Sequence, residues 1–390
     1  INIREIAMWE VKRMSSRSLY LLVVVIFPML CILFFVSFFK NGVPTKMPIA
    51  IVDLDHTATS RKMARSIDVT PMSRVVMNLQ SETEAMSELR KGNIYGFVVL
   101  PMNLQSDILS SRQAVVSYYY QNAMLMAGGL MQNNLTTVLR TLSAGINIQK
   151  REAMGQPRES IMAQVQPVQL YMHQLFNPTS NYSVYITTII LPIMLQIFIL
   201  LMTVYTIGVE IKGRTSREWL RLSDKSVVVA LTGKLLPYTL VFFVVMMFQN
   251  FMLYKVLQIP IQSGIDSVML SSLLFVLAYQ AVGIFWIGLL PTLRHAVNLS
   301  GFYGILAMTL CGFSFPVEAM PPVFQYWASC FPVRHFLHIF QSQVLAGFET
   351  RYSILSYLYL GLFLLLPLTV INRLKSALIY QNFIEEVHKQ

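Results

Sequence analysis

Two short runs in this chain carry side chains whose types and spacing can do chemistry. Asp53-Leu54-Asp55-His56 puts two carboxylates and an imidazole just after a run of branched apolar residues. Such a set can hold a metal ion or move a proton, and a turn of solvated polar residues at a strand end is the simpler reading. The other run, Gly208 to Ser223, mixes Glu210, Arg214, Arg217, Glu218 and Arg221 with Trp219, Leu220 and Leu222. Its chemistry is contact, because a short amphipathic helix opening near Thr215 can press into a groove on a partner or lie on lipid. Elsewhere His295, His335 and His338 have no carboxylate at ligand spacing, and Cys31, Cys311 and Cys330 make no disulfide framework. No nucleophile, base and oxyanion donor converge, which disfavours an enzyme.

The elements that must position these residues are mostly membrane helices. Six uncharged hydrophobic stretches run through the chain: Leu19–Phe39, Tyr182–Val209, Leu235–Tyr254, Ser267–Leu293, Ala296–Val317 and Ser353–Asn372. Each is close to or above the roughly 20 residues that a helix needs to cross hydrocarbon. Lipid leaves backbone groups no partner outside the segment, so these are helices rather than strands. Composition agrees: 55% of residues are hydrophobic, only 13% are charged, and the mean hydropathy is +0.54. The net charge of +11 comes largely from clusters beside the spans, at Arg4, Lys12, Arg13 and Arg17, at Lys212 to Lys225, and at Arg294, Arg373 and Lys375. These fall on one side if the first span runs inside to outside, which puts both termini in the cytoplasm. No basic, aromatic-rich face exists away from these sites, so nucleic acid is not an expected partner. The first stretch is longer than a signal-peptide core and lacks a following A-x-A site, so it reads as a retained anchor.

Residues Ile3 to Arg17 alternate apolar and charged positions at helical spacing, with Glu10 and Arg13 opposite Trp9. That pattern predicts an interfacial helix on lipid, with a simple basic flank to the first span as the alternative. The polar block from Met47 to Asn181 reads as a soluble α/β unit with a helical stalk. Strands are expected at Pro48–Asp53, Arg74–Leu79, Ile94–Leu100 and Val115–Tyr120. Helices are expected after a cap at Thr59 or Ser60, over Ser81–Lys91 with Ser81 set three residues before Glu84, and over Met102–Ser110. From Ala123 to about Gln166 the periodicity is helical, broken near Gly155 and Pro157. Tyr118, Tyr119 and Tyr120 alternate faces on the last strand.

Two motifs carry a family resemblance. Glu210, Gly213-Arg214-Thr215 and Glu218-Trp219-Leu220 resemble the segment that precedes the coupling helix of ABC-2 type transporter permeases. Near the end, Cys311-Gly312-Phe313-Ser314-Phe315-Pro316-Val317-Glu318-Ala319-Met320-Pro321-Pro322, followed by Pro332-Val333-Arg334-His335-Phe336, resembles the outside segment of that family. The prolines independently forbid one straight helix there, and the polar residues need shielding at membrane depth. The resemblance covers nearly the whole chain and matches the long-loop branch, which has a large extracytoplasmic domain between the first two spans.

The resemblance implies a polytopic α-helical membrane protein with six transmembrane helices, type V ABC exporter-like, with an inserted extracytoplasmic α/β domain. The divisions are an interfacial helix over 1–18, spans over 19–39, 182–209, 227–254, 267–293, 295–315 and 353–373, and an outside domain over 40–181. Residues 210–226 form the coupling region, 316–346 the re-entrant outer-gate helices, and 374–390 a cytoplasmic tail. It further implies coupling to an ATPase through Glu210, Arg217, Glu218, Trp219 and Leu220. The outer gate is built on Phe315, Pro316, Glu318, Pro321, Pro322, Arg334 and His335. Gln196, Thr203, Asn298 and Ser300 are candidates for a translocation path, and helix packing accounts for them equally well.

The sequence has no G-x-x-x-x-G-K-[ST], so it cannot cradle ATP phosphates in the P-loop manner. No cofactor is expected in this chain, and separate P-loop ATPase subunits must bind ATP and magnesium. The implied assembly pairs this chain with a second permease half, either a copy of itself or a related permease. The setting implied is a bacterial inner membrane, surrounded by lipid, and the outside domain allows for a periplasmic adaptor. The function implied is export of a hydrophobic or amphipathic substrate. An ATP-independent receptor or scaffold, using the outside domain to bind a partner, is the alternative.

Overall fold

The computed structural model describes residues 3–42, 44–110, 112–122, 125–155, 157, 177, 181–224 and 226–380. Two units divide the chain, one of Ile1–Gly42 with Gln174–Gln390 and one of Val43–His173. The chain starts with α1 (Ile3–Ser16) and then α2 (Ser18–Phe38), in which a π-helical turn at Leu22–Ile26 precedes Pro28. That wide turn falls where the missing proline N–H interrupts the α-helical ladder.

The second unit follows, with β1 (Met47–Asp53), α3 (Ala58–Asp68), β2 (Ser73–Leu79), α4 (Glu82–Lys91), β3 (Gly96–Leu100), α5 (Leu104–Leu109), β4 (Ser117–Tyr120) and α6 (Leu125–Ala153). The sheet order is β2-β1-β3-β4, parallel except for the β3–β4 pair. β1 and β3 are nearly continuous apolar runs because both of their faces are covered. On one face Ile49, Ile51, Val98 and Leu100 pack with Met63, Ile67, Leu104, Met131 and Leu135. On the other, Ala50, Val52, Phe97 and Val99 pack with Ala85 and Ile94. Tyr118 and Tyr120 stack on each other at 5.0 Å while Tyr119 stacks on Phe97 at 4.8 Å, so the tyrosine run does alternate faces.

The helix after β1 is capped by Thr57 rather than Thr59 or Ser60. The Thr57 hydroxyl accepts from the Ser60 N–H, and the Ser60 hydroxyl accepts from the Thr57 N–H. The same Ser60 hydroxyl donates to Asp53 at 2.7 Å, which fixes the register of the cap. Ser81 caps α4 through the Glu84 N–H, and Gly92 ends that helix at φ +79°. The stalk expected beyond residue 155, apart from Pro157 and Asn177, lies outside the described residues, as do Lys225 and the tail from residue 381.

The first unit resumes with α7 (Tyr182–Lys212), α8 (Ser216–Arg221), α9 (Val227–Lys255), α10 (Ile265–Leu289), α11 (Leu293–Leu310), α12 (Pro322–Ala328), α13 (Pro332–Ile339) and α14 (Ile354–Tyr380). A π-helical turn over Phe340–Leu345 extends α13. Among the described residues five helices are long and apolar enough to cross a membrane: α2, α7, α9, α10 and α14. The sixth expected span is α11, which has 18 residues, carries Arg294 and His295 in its first turn and stops at Leu310 rather than Val317. Gly312 at φ +97° takes the chain out of the helix there. α10 likewise stops at Leu289, just before Pro291, instead of reaching Leu293.

α7 is the centre of this bundle, packing against α2, α9, α10 and α11. A Cβ on Gly283 of α10 would lie 2.8 Å from Thr203 of α7, so the two helices touch backbone to side chain as only glycine permits.

Candidate functional site

Four charged side chains meet at the α1 end of the bundle, away from water. Lys234, near the start of α9, donates from Nζ to Glu10 of α1 at 2.7 Å and to Glu210 of α7 at 2.9 Å. Arg13 of α1 also pairs with Glu210, whose second oxygen accepts from the Thr215 hydroxyl. Tyr238, one turn beyond Lys234, donates to the other oxygen of Glu10 at 2.8 Å. Two indoles close the site: the Lys234 ammonium lies 5.2 Å from the Trp9 ring and 5.1 Å from the Trp219 ring. Glu10, Glu210 and Lys234 are 0% exposed.

The chemistry of this cluster is cohesion. Two carboxylates and two cations sum to zero charge, and each carboxylate has a hydroxyl as well as a cation. Full pairing is what makes burial of four charges tolerable, because one unpaired member would cost several kcal/mol in desolvation. Burial works against the Arg13 charge, and the Glu210 carboxylate, with Tyr20 and Glu10, outweighs it, so its pKa stands above the ordinary value. The local sequence explains the geometry. Ile6, Glu10 and Arg13 fall on one stripe of α1, which faces α9, and a Cβ on Gly233 would strike Ile6 at 2.9 Å. α1 is thereby pinned to the start of α9.

From Glu210 the chain turns directly into α8. The turn is made by Arg214 at φ +58°, whereas Gly213 sits at an ordinary φ of −80°. Thr215 occupies the N-cap position of α8 but does not cap it, because its hydroxyl is spent on Glu210. α8 rests on the end of α14: Ser216 donates to the Leu378 carbonyl at 2.8 Å, and Arg217 Nε donates to the Ile379 carbonyl at 3.0 Å. A cation at those last carbonyls complements the helix dipole. Trp219 and Leu220 are buried, while Glu218, Arg221 and Leu222 are exposed. Of the five residues expected to meet an ATPase, Glu210, Trp219 and Leu220 therefore face inward, Arg217 has its guanidinium on α14, and Glu218 faces out.

The residues expected at an outer gate sit at the other end of α11. Phe315, Pro316, Glu318, Pro321 and Pro322 are exposed around a short 3-10 turn, Val317–Ala319, and the start of α12. Arg334 donates to the Gln325 carbonyl at 3.1 Å, closing α12 onto α13. His335 is buried, bonded to the Ser329 carbonyl at 2.9 Å and stacked on Tyr359 of α14 at 4.5 Å. Of the four path candidates, Gln196, Thr203 and Ser300 are buried within this single chain and Asn298 is exposed. Thr203 bonds its own helix at the Ile199 carbonyl.

Asp53, Asp55 and His56 form a turn. Asp53 Oδ1 accepts from the N–H groups of Asp55 and His56 at 3.1 and 3.0 Å, and Asp55 Oδ2 accepts from the Thr57 hydroxyl and the Gln105 N–H. The carboxylates thus staple β1 to α3 and α5. No group of three or more metal-ligating side chains occurs among the described residues.

Sequence reasoning missed Glu10, Arg13, Lys234, Thr215 and Tyr238 as one constellation. The legible signal was Lys234, a charge inside an apolar segment, with Glu210 alone at the end of the preceding span. No curated protein matches the chain. Residues 18–371 match the family described as ABC-2 family transporter protein. That match spans the ion cluster's α7 and α9 members, α8, and both sequence motifs. The chain therefore belongs to the ABC-2 family of transporter proteins, as a multi-pass transport subunit of the permease kind.

Proposed function

We propose that this chain is the membrane half of an ATP-driven exporter for a hydrophobic or amphipathic substrate. The observation that carries the reading is α8, a short helix held on its inner face by the ion cluster and α14, with Glu218, Arg221 and Leu222 left outward. A helix so anchored transmits force in place of absorbing it. Separate P-loop ATPase subunits bind ATP and magnesium and contact that outward face. Glu218 meets a basic group in the motor, and Leu222 supplies apolar area. Glu210, Trp219 and Leu220 act from behind, by fixing α8 to α1, α7 and α9.

The assembly is a dimer of this chain, or a pair with a related permease, in a bacterial inner membrane with both termini cytoplasmic. ATP binding draws two motors together, their push enters at α8, and α1, α7 and α9 move as one block because the cluster binds them. The passage opens between the two halves towards the outside, where Phe315, Pro316, Glu318, Pro321, Pro322, Arg334 and His335 form the outer gate. Asn298 is the path candidate with an exposed side chain, whereas Gln196, Thr203 and Ser300 act in helix packing. The α/β unit offers a docking surface for a periplasmic adaptor.

Purification of the full chain from native membranes in mild detergent tests this. A P-loop ATPase should come with it in equal amount and be lost on Glu218→Ala with Leu222→Ala, two exposed positions that leave the cluster intact. If no ATPase is recovered, the chain is a receptor or scaffold working through its α/β unit, and the exporter reading fails.

A further inference from the structure

A buried hydrogen-bond chain joins α7 to the start of α13, and it stands on groups that the coupling reading does not use. The Tyr279 hydroxyl, on α10, donates to Gln196 Oε1 on α7. The same hydroxyl accepts from the Val333 N–H at 3.2 Å. Gln196 Nε2 in turn donates to the Gly304 carbonyl of α11 at 3.3 Å. Four helices thus share one run of polar groups, with Gln196, Tyr279 and Val333 all 0% exposed.

The position of each partner matters. Val333 lies in the first turn of α13, just after Pro332, where the helix itself offers its N–H no acceptor. Tyr279 supplies that acceptor from a neighbouring helix, so the gate helix is hung on α10 by its leading end. The ring is held by Phe275 at 5.0 Å, and Phe275 packs on Phe336 of α13 at 4.7 Å. One turn further along α10, Gly283 lies against Thr203, two turns along α7 from Gln196. α7 and α10 therefore meet at two levels, at the hydrogen bond that links Gln196 to Tyr279 and at a packing contact of the Thr203 side chain on Gly283. From Gln196, α7 continues unbroken to Glu210, about 21 Å at the helical rise.

We infer that Tyr279 is a positioning residue that makes the gate helix α13 follow displacement of α7, through hydrogen bonds to Gln196 and Val333. The inference rests on the exporter reading, since it needs a driven motion of α7. It goes further in naming the group that carries that motion across the bundle. A rigid α7 moves the Gln196 amide, the amide moves the Tyr279 hydroxyl, and the hydroxyl moves the first turn of α13. Without the hydroxyl, α7 can still move, and α13 is free to stay behind.

Cys330 gives the readout, because it is exposed and sits two residues before Pro332. The full chain with its co-purified ATPase is placed in nanodiscs, with Cys31→Ser leaving Cys330 as the accessible thiol beside buried Cys311. A water-soluble maleimide then measures Cys330 labelling without nucleotide and after trapping with ATP and vanadate. The parent is expected to change its labelling rate severalfold on trapping. Tyr279→Phe should keep ATP hydrolysis and lose that change, and Gln196→Leu should do the same. The Gln196→Glu carboxyl, kept neutral by desolvation at this buried position, retains an acceptor for the hydroxyl and a donor for the Gly304 carbonyl, and should restore most of the response. A purely structural role would lower thermal stability and leave the nucleotide response of the folded protein intact, and that result overturns the inference while the exporter reading stands. If Tyr279→Phe does not fold, Gln196→Leu decides, since it spares the bond to Val333. A parent with no bound ATPase, or no response to nucleotide, overturns the exporter reading and this inference together.

Discussion

Lys234→Met is the substitution that puts the ion cluster under the most strain. Methionine preserves most of the side-chain volume between Trp9 and Trp219, so packing changes little and electrostatics change a great deal. The parent site holds Glu10 and Glu210 against Lys234 and Arg13, all but Arg13 at 0% exposure. After substitution Glu210 keeps Arg13, while Glu10 keeps a neutral partner, the Tyr238 hydroxyl at 2.8 Å. Removing one member of a buried pair costs about 3–5 kcal/mol, because the other charge stays desolvated. On the scale of large domains, where 1 kcal/mol moves a midpoint by about 2–4 °C, the apparent Tm should fall by more than about 5 °C. The control is Lys234→Met with Glu10→Gln, which restores zero net charge and leaves an amide able to accept from Tyr238. It should regain most of that loss, because no unpaired charge is then left buried. Tryptophan fluorescence during thermal unfolding in detergent measures all three proteins, since Trp9 and Trp219 border the site. A single variant as stable as the parent, or a double variant no better than the single, would refute the account of the cluster as a neutral, mutually satisfied set.

Other perturbations test separate parts. Asp53→Asn retains the acceptor oxygen for the Asp55 and His56 N–H groups and should cost under about 1 kcal/mol, whereas Asp53→Ala orphans them and should cost about 1–3 kcal/mol by denaturant unfolding of the full chain. Equal effects would point to a charge-dependent role for that carboxylate. Ser81→Ala removes the cap from α4 and should cost about 1 kcal/mol, read by hydrogen exchange at Glu84. Gly283→Ala forces a Cβ to within 2.8 Å of Thr203 and should destabilise the first unit by about 1–3 kcal/mol, lowering its Tm; an unchanged Tm would show that α7 and α10 part easily there. Thr215→Val deletes the hydroxyl on Glu210 and should weaken ATPase recovery less than Glu218→Ala with Leu222→Ala, because Arg13 and Lys234 still hold the carboxylate.

The α/β unit was the more legible half of the chain. Strands such as Ile49–Val52 and Phe97–Leu100 announce themselves as branched apolar runs, and Ser81 with Glu84 marks a helix start at fixed spacing. These signals are local, and local chemistry decides them. The cap before α3 was misplaced by two or three residues because Asp53 recruits the Ser60 hydroxyl, which leaves Thr57 at the cap position. Span positions were legible from hydrophobic length, but their ends were not: Gly312 and Pro291 stop α11 and α10 earlier than hydropathy suggests. The segment from Gly208 to Ser223 was recognisable as a motif, yet which of its residues face inward depends on α14 and α9. The ion cluster was least legible, since its members lie far apart in sequence and only the packing of α1 on α9 unites them. Glu10 and Arg13 look like an ordinary polar helix face until Lys234 is placed beside them.

The separation within that cluster has a consequence for how the protein is made. Glu10 and Lys234 are 224 positions apart, and the whole α/β unit is translated between them. Until α9 emerges from the ribosome, the Glu10 carboxylate has no cation to neutralise it, since Arg13 pairs with Glu210. α1 must therefore wait at the aqueous boundary, hydrated, while α2 and then α7 enter the bilayer. Docking of α1 becomes a late step in biogenesis, triggered when Lys234 arrives, and contacts of such long range close slowly. A chain stalled before α9 would display α1 undocked and charged, giving quality-control proteases a visible mark that assembly is incomplete.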